Sequence, residues 1–558
     1  MTVVFDEDKQ NRRVEDLKKR EAENLTQVMA EKYGIPYLDL SVTAINIDAL
    51  RVIKESEAEE AGVVSFNLID KKVSLGVLSP ENPKTKEAIA VIEKKGYIPT
   101  LYMVSLEGLK KVLDRYKDLS FSFETKSGAL DISNEEITNF LKEVHGIDDI
   151  KKLIEDILKQ KKSYKISKLF EIIIAGALAT KASDIHLEPE EAYVRLRYRL
   201  DGVLVEILTL DLETFNLLLS RIKLLSGLKL NVKEKAQDGR FSIKLSGDDI
   251  EIRTSALPGA YNESIVLRVL NPKSISVPLE ELGIHPKLLA ILLEEMEKPN
   301  GLILNTGPTG SGKTTTLYAF LKKMYSPEIK IITIENPIEY HLPGIVQTQT
   351  NEKKGYNFSE GLRSALRQDP DVIMVGEIRD GETAEIAINS ALTGHLVFST
   401  LHTNNAAGTY PRLIDLGVNP KTITSAINIA MAQRLVRKLC VECKKEVLIE
   451  GETKTLVEKI TARITDRSYL EGIQTEKMWK SVGCDKCNKT GYRGRLGIYE
   501  AIKSDQNIEN AVKENPSERE ITKAAEGQGI PSMVEDGILK MLQGITSLDE
   551  LNRVVEVL

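Results

Sequence analysis

The sequence predicts a multidomain α/β protein, and three observations predict it. The chain has 558 residues, too many for a single hydrophobic core. An apolar run, Gly301-Leu302-Ile303-Leu304-Asn305, opens through Gly307-Pro308-Thr309-Gly310-Ser311-Gly312-Lys313-Thr314 into a helical pattern. Two further β-branched runs, Ile331–Ile334 and Val372–Val375, each end near acids. A G-x-x-x-x-G-K-[ST] match between strand and helix is a phosphate loop. Its glycines let backbone N–H groups turn inward, Lys313 reaches the β/γ-phosphates, and Thr314, followed by Thr315, offers a hydroxyl oxygen to Mg²⁺. Leu317, Phe320, Leu321 and Met324 recur at helical spacing behind it, the stripe such a helix buries. The loop implies that a nucleoside triphosphate binds, and it leaves the purpose open.

Residues 1–118 mix helical and short strand patterns, including Val73–Val77, and read as a small α+β module without a catalytic constellation. Residues 119–165 turn polar and lysine-rich, ending in the run Lys159–Lys165, and read as a solvated helix and linker. Residues 166–275 form a second α+β unit. There Tyr193–Leu200 alternates charged with apolar residues, as a half-exposed strand does, and Asp201-Gly202 closes it as a hairpin turn. Asp249–Ser255 and Ile265–Leu270 read as further strands. The nucleotide domain spans 285–558 and includes a cysteine region at 440–487. In its tail, Ser517-x-x-Glu520, Ser532-x-x-Glu535 and Ser547-x-x-Glu550 each mark a helix start.

Composition narrows the class. The chain is 42% hydrophobic and 28% charged with a formal net charge of −7, values that fit a globular protein and argue against broad nucleic-acid binding. Met1–Phe5 runs directly into a charged stretch, Asp6–Arg13, without the apolar centre of a signal peptide. The longest apolar stretches, such as Ile172–Ala179, fall short of the roughly 20 residues a membrane-spanning helix needs. A cytosolic protein with at most a peripheral membrane role is expected, in which disulfides are not.

The chemistry-bearing residues follow from the phosphate loop. Its Mg²⁺ needs a carboxylate at the end of a buried strand, and Val372–Val375 leads through Gly376 to Glu377. The other run opens into Glu335-Asn336-Pro337-Ile338-Glu339, placing two acids at a strand end, where one can accept a proton from an attacking water. Phosphoryl transfer also gathers charge that arginines stabilise. Arg363 and Arg367 lie four apart on an apparent helix. Arg253 and Arg268 lie in the strands of the preceding unit, where Arg268 interrupts an apolar run and needs a partner. For Arg195, Arg197 and Arg199 a solvated strand face is the expectation. Cys440-x-x-Cys443 and Cys484-x-x-Cys487 suit two halves of a tetrahedral thiolate site. Their separation exceeds the compact ribbon spacing of about 15 to 20 residues and calls for a helical hairpin from Thr453–Ala462 and the stretch around Trp479. Structural Zn²⁺, unpaired reduced thiols and a redox pair all remain open.

The string Leu366–Asp380 resembles the signature of the type II secretion and type IV pilus assembly ATPases. The resemblance runs from about residue 20 to the end, through Ala182–Pro189, Gln237–Arg240, Thr400–Asn404 and Asp536-Gly537. It implies a RecA-like ATPase core, a preceding PAS-like domain, a partner-docking or regulatory N-terminal domain, and a tetracysteine zinc subdomain. It also implies ATP and Mg²⁺ as ligands, Glu339 as general base, Glu377 as the Walker B acid, Glu335 within the acidic box, and His395 and His402 in a histidine box sensing the γ-phosphate. The arginines at 253, 268, 363 and 367 would converge on the phosphates. Such proteins form homohexamers that bind an inner-membrane platform protein at the cytoplasmic face, without direct nucleic-acid contact. Two departures stand out: the family usually carries Asp where this chain has Asn336, and commonly where it has Asn405. Alternatives are a conjugation or DNA-uptake ATPase and a nucleotide-gated scaffold with negligible hydrolysis.

Overall fold

Alternation and β-branching decide where strands form in this chain, and glycine and asparagine decide where they turn. In the computed structural model the described residues are 21–40, 43, 45–50, 52–69, 71–118, 122–124, 129–132, 144, 146–159, 165–245, 248–271 and 277–557. Met1–Arg13 and most of the Lys159–Lys165 run lie outside them. The chain divides into two compact units, one of Met1–Ile137, Lys152–Ile174 and Glu213–Leu224, the other of Thr138–Lys151, Ala175–Leu212 and Leu225–Leu558.

The first unit holds a three-stranded sheet of β1 (Val63–Ile69), β2 (Lys72–Val77) and β3 (Ile98–Met103), in that order. β1 pairs antiparallel and β3 parallel to β2. Val63, Val64, Val73, Leu75 and Val77 fill its core. A short hairpin, β4 (Ser122–Glu124) with β5 (Ala129–Ile132), follows. Within the stretch read as a solvated helix and linker, the helix Ile147–Leu158, divided between the two units, buries Ile150, Ile154 and Ile157. Its lysines mask an apolar stripe at helical spacing.

The second unit contains an antiparallel sheet of β6 (Asp184–Pro189), β7 (Val194–Leu200), β8 (Val203–Leu210), β9 (Gln237–Leu245), β10 (Asp248–Pro258) and β11 (Glu263–Leu270). These are neighbours in the order β9-β10-β11-β6-β7-β8. Along β7, Val194, Leu196, Tyr198 and Leu200 are buried while Arg195, Arg197 and Arg199 alternate with them on the other face. Asp201 (φ 48°) and Gly202 (φ 87°) both take left-handed backbone, the geometry of a two-residue type I′ hairpin.

The same unit carries β12 (Gly301–Thr306), β13 (Ile331–Glu335), β14 (Val346–Gln349), β15 (Val372–Val375), β16 (Leu396–Leu401), β17 (Ile427–Leu439), β18 (Lys445–Leu448), β19 (Lys477–Lys480) and β20 (Tyr492–Lys503). All but β18 and β19 form one sheet, ordered β14-β13-β15-β16-β12-β17-β20 and parallel except for the last pair. Every residue of β12, β13, β15 and β16 is buried, as a parallel sheet covered by crossover helices requires. One of those helices, Lys313–Met324, buries Leu317, Phe320 and Leu321. Between the cysteine pairs the helix Gly451–Arg463 is present, but the stretch around Trp479 is not the second arm of a helical hairpin. It is β19, paired antiparallel with β18, and the Trp479 ring lies against Gly544, where a Cβ would sit 2.7 Å from it.

In the tail, Ser517, Ser532 and Ser547 each cap a helix by accepting the N–H three residues on. Only Ser532 has the reciprocal bond, from its own N–H to Glu535, because Glu550 is taken elsewhere. Glu550 is 1% exposed and accepts Arg437 Nε and Nη2 at 2.9 and 2.7 Å and Arg553 Nε and Nη2 at 2.8 and 2.6 Å. Burial raises its carboxyl, but hydrogen bonds from Arg553 and Arg437 outweigh it and hold the group below the usual carboxylate range. That stabilisation is present above the unfolded pKa of about 4.3 and is lost as pH falls through the lower folded value. Glu550→Ala, which strands two guanidiniums, should cost about 3 kcal/mol. The check is a lower thermal midpoint for the tail-bearing unit at pH 7, with a difference that narrows below about pH 4.

Candidate functional site

The parallel strands deliver their following loops to one edge. Register pairs Thr306 with Leu401 and Ile334 with Val375, so Gly307, His402, Gly376 and the Glu335–Glu339 segment leave the sheet side by side. Gly307 has φ 148°, and a Cβ there would meet the Gln433 carbonyl oxygen and Ser311 Oγ, both at 2.6 Å. Gly312 (φ 90°) starts the helix Lys313–Met324. Lys313 Nζ donates to the carbonyls of Gly307 at 2.7 Å and Pro308 at 3.0 Å, folding over the loop it will serve. Ser311 Oγ is buried and, among the described residues, has no hydrogen-bond partner. An orphaned hydroxyl beside a glycine cradle at a helix N-terminus fits a polyphosphate. Pro308, Thr309, Gly310, Thr314 and Thr315 line the same cavity, of about 910 Å³.

Three acids lie at this edge in different states. Glu377 pairs with Arg379 Nη2 at 2.6 Å and His402 Nε2 at 3.4 Å. Its position relative to His402 is fixed by Thr400 Oγ1 donating to the Gly376 carbonyl at 2.8 Å. Glu339 is half-buried, with Oε2 3.5 Å from Arg253 Nη1, and Arg253 Nη2 donates to the Ile338 carbonyl at 3.1 Å. Glu335, expected among the cofactor-binding residues, lines the phosphate-loop cavity as well. It is 3% exposed and accepts from the Tyr318 hydroxyl, Thr333 Oγ1 at 2.5 Å and Gln347 Nε2 at 3.1 Å. Its oxygens are engaged by protein donors, and burial raises its carboxyl above the usual range.

The arginines fall into two sets. Cross-strand register aligns Arg240, Arg253, Arg268, Asp184 and Arg199 in one row across β9, β10, β11, β6 and β7. Directly paired residues face the same side of a sheet. Asp184, itself buried, accepts Arg268 Nε at 2.9 Å and pairs with Arg199 Nε at 3.3 Å, which supplies the partner Arg268 needed. Arg268 and Arg199 line the phosphate-loop cavity, and Arg253 lines an adjoining one with Glu339. Arg363 and Arg367 are not gathered here. The first pairs with Glu382 at 2.8 Å, and the second ends its helix and donates to Ser364 Oγ at 3.0 Å. His395 precedes β16, its Nδ1 3.2 Å from the Ser390 carbonyl. The whole strand, roughly 20 Å at about 3.3 Å per residue, separates it from His402.

Sequence reasoning missed five arginines of the cavity: Arg199, Arg379, Arg434, Arg495 and Arg553. For Arg199 the alternation along β7 gave the face, but its place opposite Asp184 comes from the pairing of β6 with β7. Arg434 donates to the Asn404 carbonyl at 2.7 Å and the Gln433 carbonyl at 3.1 Å, and burial lowers its pKa.

The four cysteine sulfurs lie within 4.8 Å of one another. Separations of 3.9 Å (Cys440–Cys484), 3.8 Å (Cys443–Cys487) and 3.7 Å (Cys484–Cys487) match the ~3.8 Å edge of a tetrahedron with metal–sulfur bonds near 2.3 Å. Backbone N–H groups of Gly483 and Gly491 point at Cys443 and Cys487 sulfurs, each at 3.3 Å. Thiolates so arranged fit a structural Zn²⁺.

Comparison with known proteins finds relatives along most of the chain. A family model described as type II/IV secretion system protein matches residues 159–553. The type IV pilus assembly ATPase PilB of Myxococcus xanthus is 35% identical over 534 residues, 95% of this chain and 91% of that protein. Type II secretion system protein E of Pseudomonas aeruginosa is 43% identical over 400 residues, 72% of this chain and 77% of that one. The X-ray structure of the Legionella pneumophila ATPase DotB aligns with a TM-score of 0.49 at 23% identity, covering 69% of this chain and 95% of that one.

Burial pushes the Lys313 ammonium down to about 8, against the opposing pull of Glu377. At pH 8.5 it is therefore largely neutral in the free protein, and a triphosphate set against it restores the proton. Calorimetric titrations in buffers of different ionisation enthalpy should show proton uptake on nucleotide binding at pH 8.5 that fades by pH 7. A proton count near zero at both values would contradict it.

Proposed function

The chain belongs to the type II/IV secretion system protein family and is an ATP hydrolase, and from that premise we propose that it is a hexameric motor powering type IV pilus assembly. The observation that carries this reading is the shared cavity: Lys313, Glu377 and His402 of the parallel sheet line it together with Arg268 and Arg199 of the antiparallel sheet. Hydrolysis there engages two layers of the chain, as a motor requires.

In this reading Lys313 and the loop N–H groups bind the β/γ-phosphates, and Thr314 and Glu377 hold Mg²⁺, which neutralises phosphate charge when bound. Glu339 accepts the proton of the attacking water. Arg253, Arg268 and Arg199 stabilise the charge that develops on the phosphoryl oxygens. His402, in contact with Glu377, reports the γ-phosphate to the loop that follows β16. Residues 166–275 act as the PAS-like closing domain and 285–558 as the RecA-like core, with zinc at 440–487 as a structural clamp. Residues 1–118 dock a partner. Arg363, Arg367 and His395 lie outside the cavity, which suits contacts with a neighbouring subunit of a ring. Among the described residues no helix is long and apolar enough to cross a membrane, in keeping with work at the cytoplasmic face through an integral platform protein.

Pilus assembly is favoured by the match to PilB along 95% of this chain, N-terminal module included. The type II secretion pseudopilus is the second reading, supported by the higher identity, 43%, over the motor region.

Glu339→Gln should retain ATP binding and lose turnover by about 10²–10⁴-fold, the range for a general base. Arg268→Ala should lose about 10³-fold with binding nearly intact. Phosphate release and fluorescent-nucleotide titration measure the two quantities, and undiminished turnover in Glu339→Gln removes that residue as the base. For the metal, the purified chain should carry one zinc per subunit. Cys484→Ser should release it and lower thermal stability, whereas a metal-free parent of equal stability would refute the clamp.

A further inference from the structure

The residue proposed as the base sits on a loop with no regular structure of its own. Residues 336–345 leave β13 and return as β14, and Glu339 lies in mid-loop. Something must fix it, because a displacement of about 1 Å can cost on the order of 10²-fold in rate.

Arg253 reaches the loop from β10 at Ile338 and Glu339, and the other fixing groups come from β14. Gln347 and Gln349, two residues apart, face the same side of that strand. Gln349 Oε1 accepts the Ile338 N–H at 3.3 Å, just before Glu339. Gln347 Nε2 donates to the Tyr340 carbonyl at 3.1 Å, just after it, and Gln347 Oε1 accepts the Leu342 N–H at 2.7 Å. The same Gln347 amide nitrogen lies 3.1 Å from Glu335 Oε1 and 3.3 Å from the Tyr318 hydroxyl. Tyr318 is fully buried on the helix that begins at Lys313, and its ring meets that of Tyr340 edge-on at 4.8 Å. One amide thus touches the phosphate-loop helix, the end of β13 and both sides of a turn in the Glu339 loop.

We propose that Gln347 is a positioning residue for hydrolysis, holding the Glu339 loop in register with the helix that carries Lys313. The proposal rests on Glu339 being the base. It assigns Glu335 the same task from the other side: its carboxylate anchors Tyr318 and Gln347. Neither a methionine nor a carboxylate at 347 can reproduce the amide. Methionine fills the volume without donor or acceptor oxygen, and glutamate keeps the acceptor toward Leu342 but loses the donor toward Tyr340.

The test uses the full chain with Mg-ATP. Gln347→Met should lower kcat by about tenfold or more while KM and nucleotide affinity stay within about threefold of the parent, a split that general destabilisation would not give. Hydrogen exchange should quicken across 336–345 and stay unchanged along Lys313–Met324. Gln347→Glu, read the same way, carries the test if the methionine variant does not fold. A kcat within about twofold of the parent, or a parallel loss of nucleotide affinity, overturns the proposal. Glu339→Gln measured alongside separates the two ideas. Turnover surviving there removes the base itself, whereas turnover lost there but kept in Gln347→Met removes only the positioning role.

Discussion

Because β12, β13, β15 and β16 run parallel, their carboxyl ends fall on one edge, and the helices needed to cover both faces carry the chain back to the other. The phosphate loop, the acidic loop, Glu377 and His402 each lie within the first irregular residues after one of these strands. None is placed by its own local structure. They depend on strands whose every residue is buried, so the cost of moving one loop is the cost of disturbing a close-packed sheet. The same constraint explains His395: a residue that precedes a strand is delivered to the opposite edge, however near in sequence to His402.

The antiparallel sheet solves a different problem, which is holding like charges together. Arg240, Arg253 and Arg268 are direct cross-strand neighbours, an arrangement that is destabilising when uncompensated. Carboxylates offset each of these charges. Glu251 contacts Arg253 at 3.0 Å and Arg240 at 3.6 Å, Asp184 bridges Arg268 and Arg199, and Glu339 faces Arg253. The row is therefore poised: its charge is balanced by side chains at the rim of the cavity, and a triphosphate offers those guanidiniums a denser negative charge than any one carboxylate. In the proposed reading, an arginine drawn to phosphate would leave the Glu339 carboxylate free to take a proton.

Much of this was legible in the sequence, for identifiable reasons. The phosphate loop and the strands ending at Glu335 and Glu377 announce themselves because parallel strands read as uninterrupted apolar runs, and Asp201-Gly202 does so because few residue pairs accept two left-handed conformations. What stayed hidden depends on register or on competition between partners. Arg199 looked solvated because alternation reports the face of a strand and not what lies opposite that face. Spacing also cannot show that Glu335, in the wall of the cavity, already accepts from Tyr318, Thr333 and Gln347. The segment at Trp479 was too short for periodicity to separate strand from helix, and the lysines of Ile147–Leu158 concealed its buried isoleucines.

Asn405, where the resembled family commonly has an aspartate, has a local cause. Its amide nitrogen donates to Glu518 Oε2 at 3.0 Å while its oxygen accepts the Gly408 N–H at 2.7 Å. An aspartate here would face Glu518 with no hydrogen to offer, and the two like charges would repel, by about 1 kcal/mol or less for a solvent-screened pair. Gly408 belongs to the same accommodation, because a Cβ there would lie 2.8 Å from Glu518 Oε1. The loop after β16 is thus fastened to the helix Glu518–Ala525 by a neutral donor meeting a carboxylate. An asparagine at 405 leaves the charge of the phosphate-loop cavity untouched, since neither Asn405 nor Glu518 is among the residues that line it. Asn405 thus serves as a fastening between the loop after β16 and the tail, apart from the lining that holds Glu377 and His402.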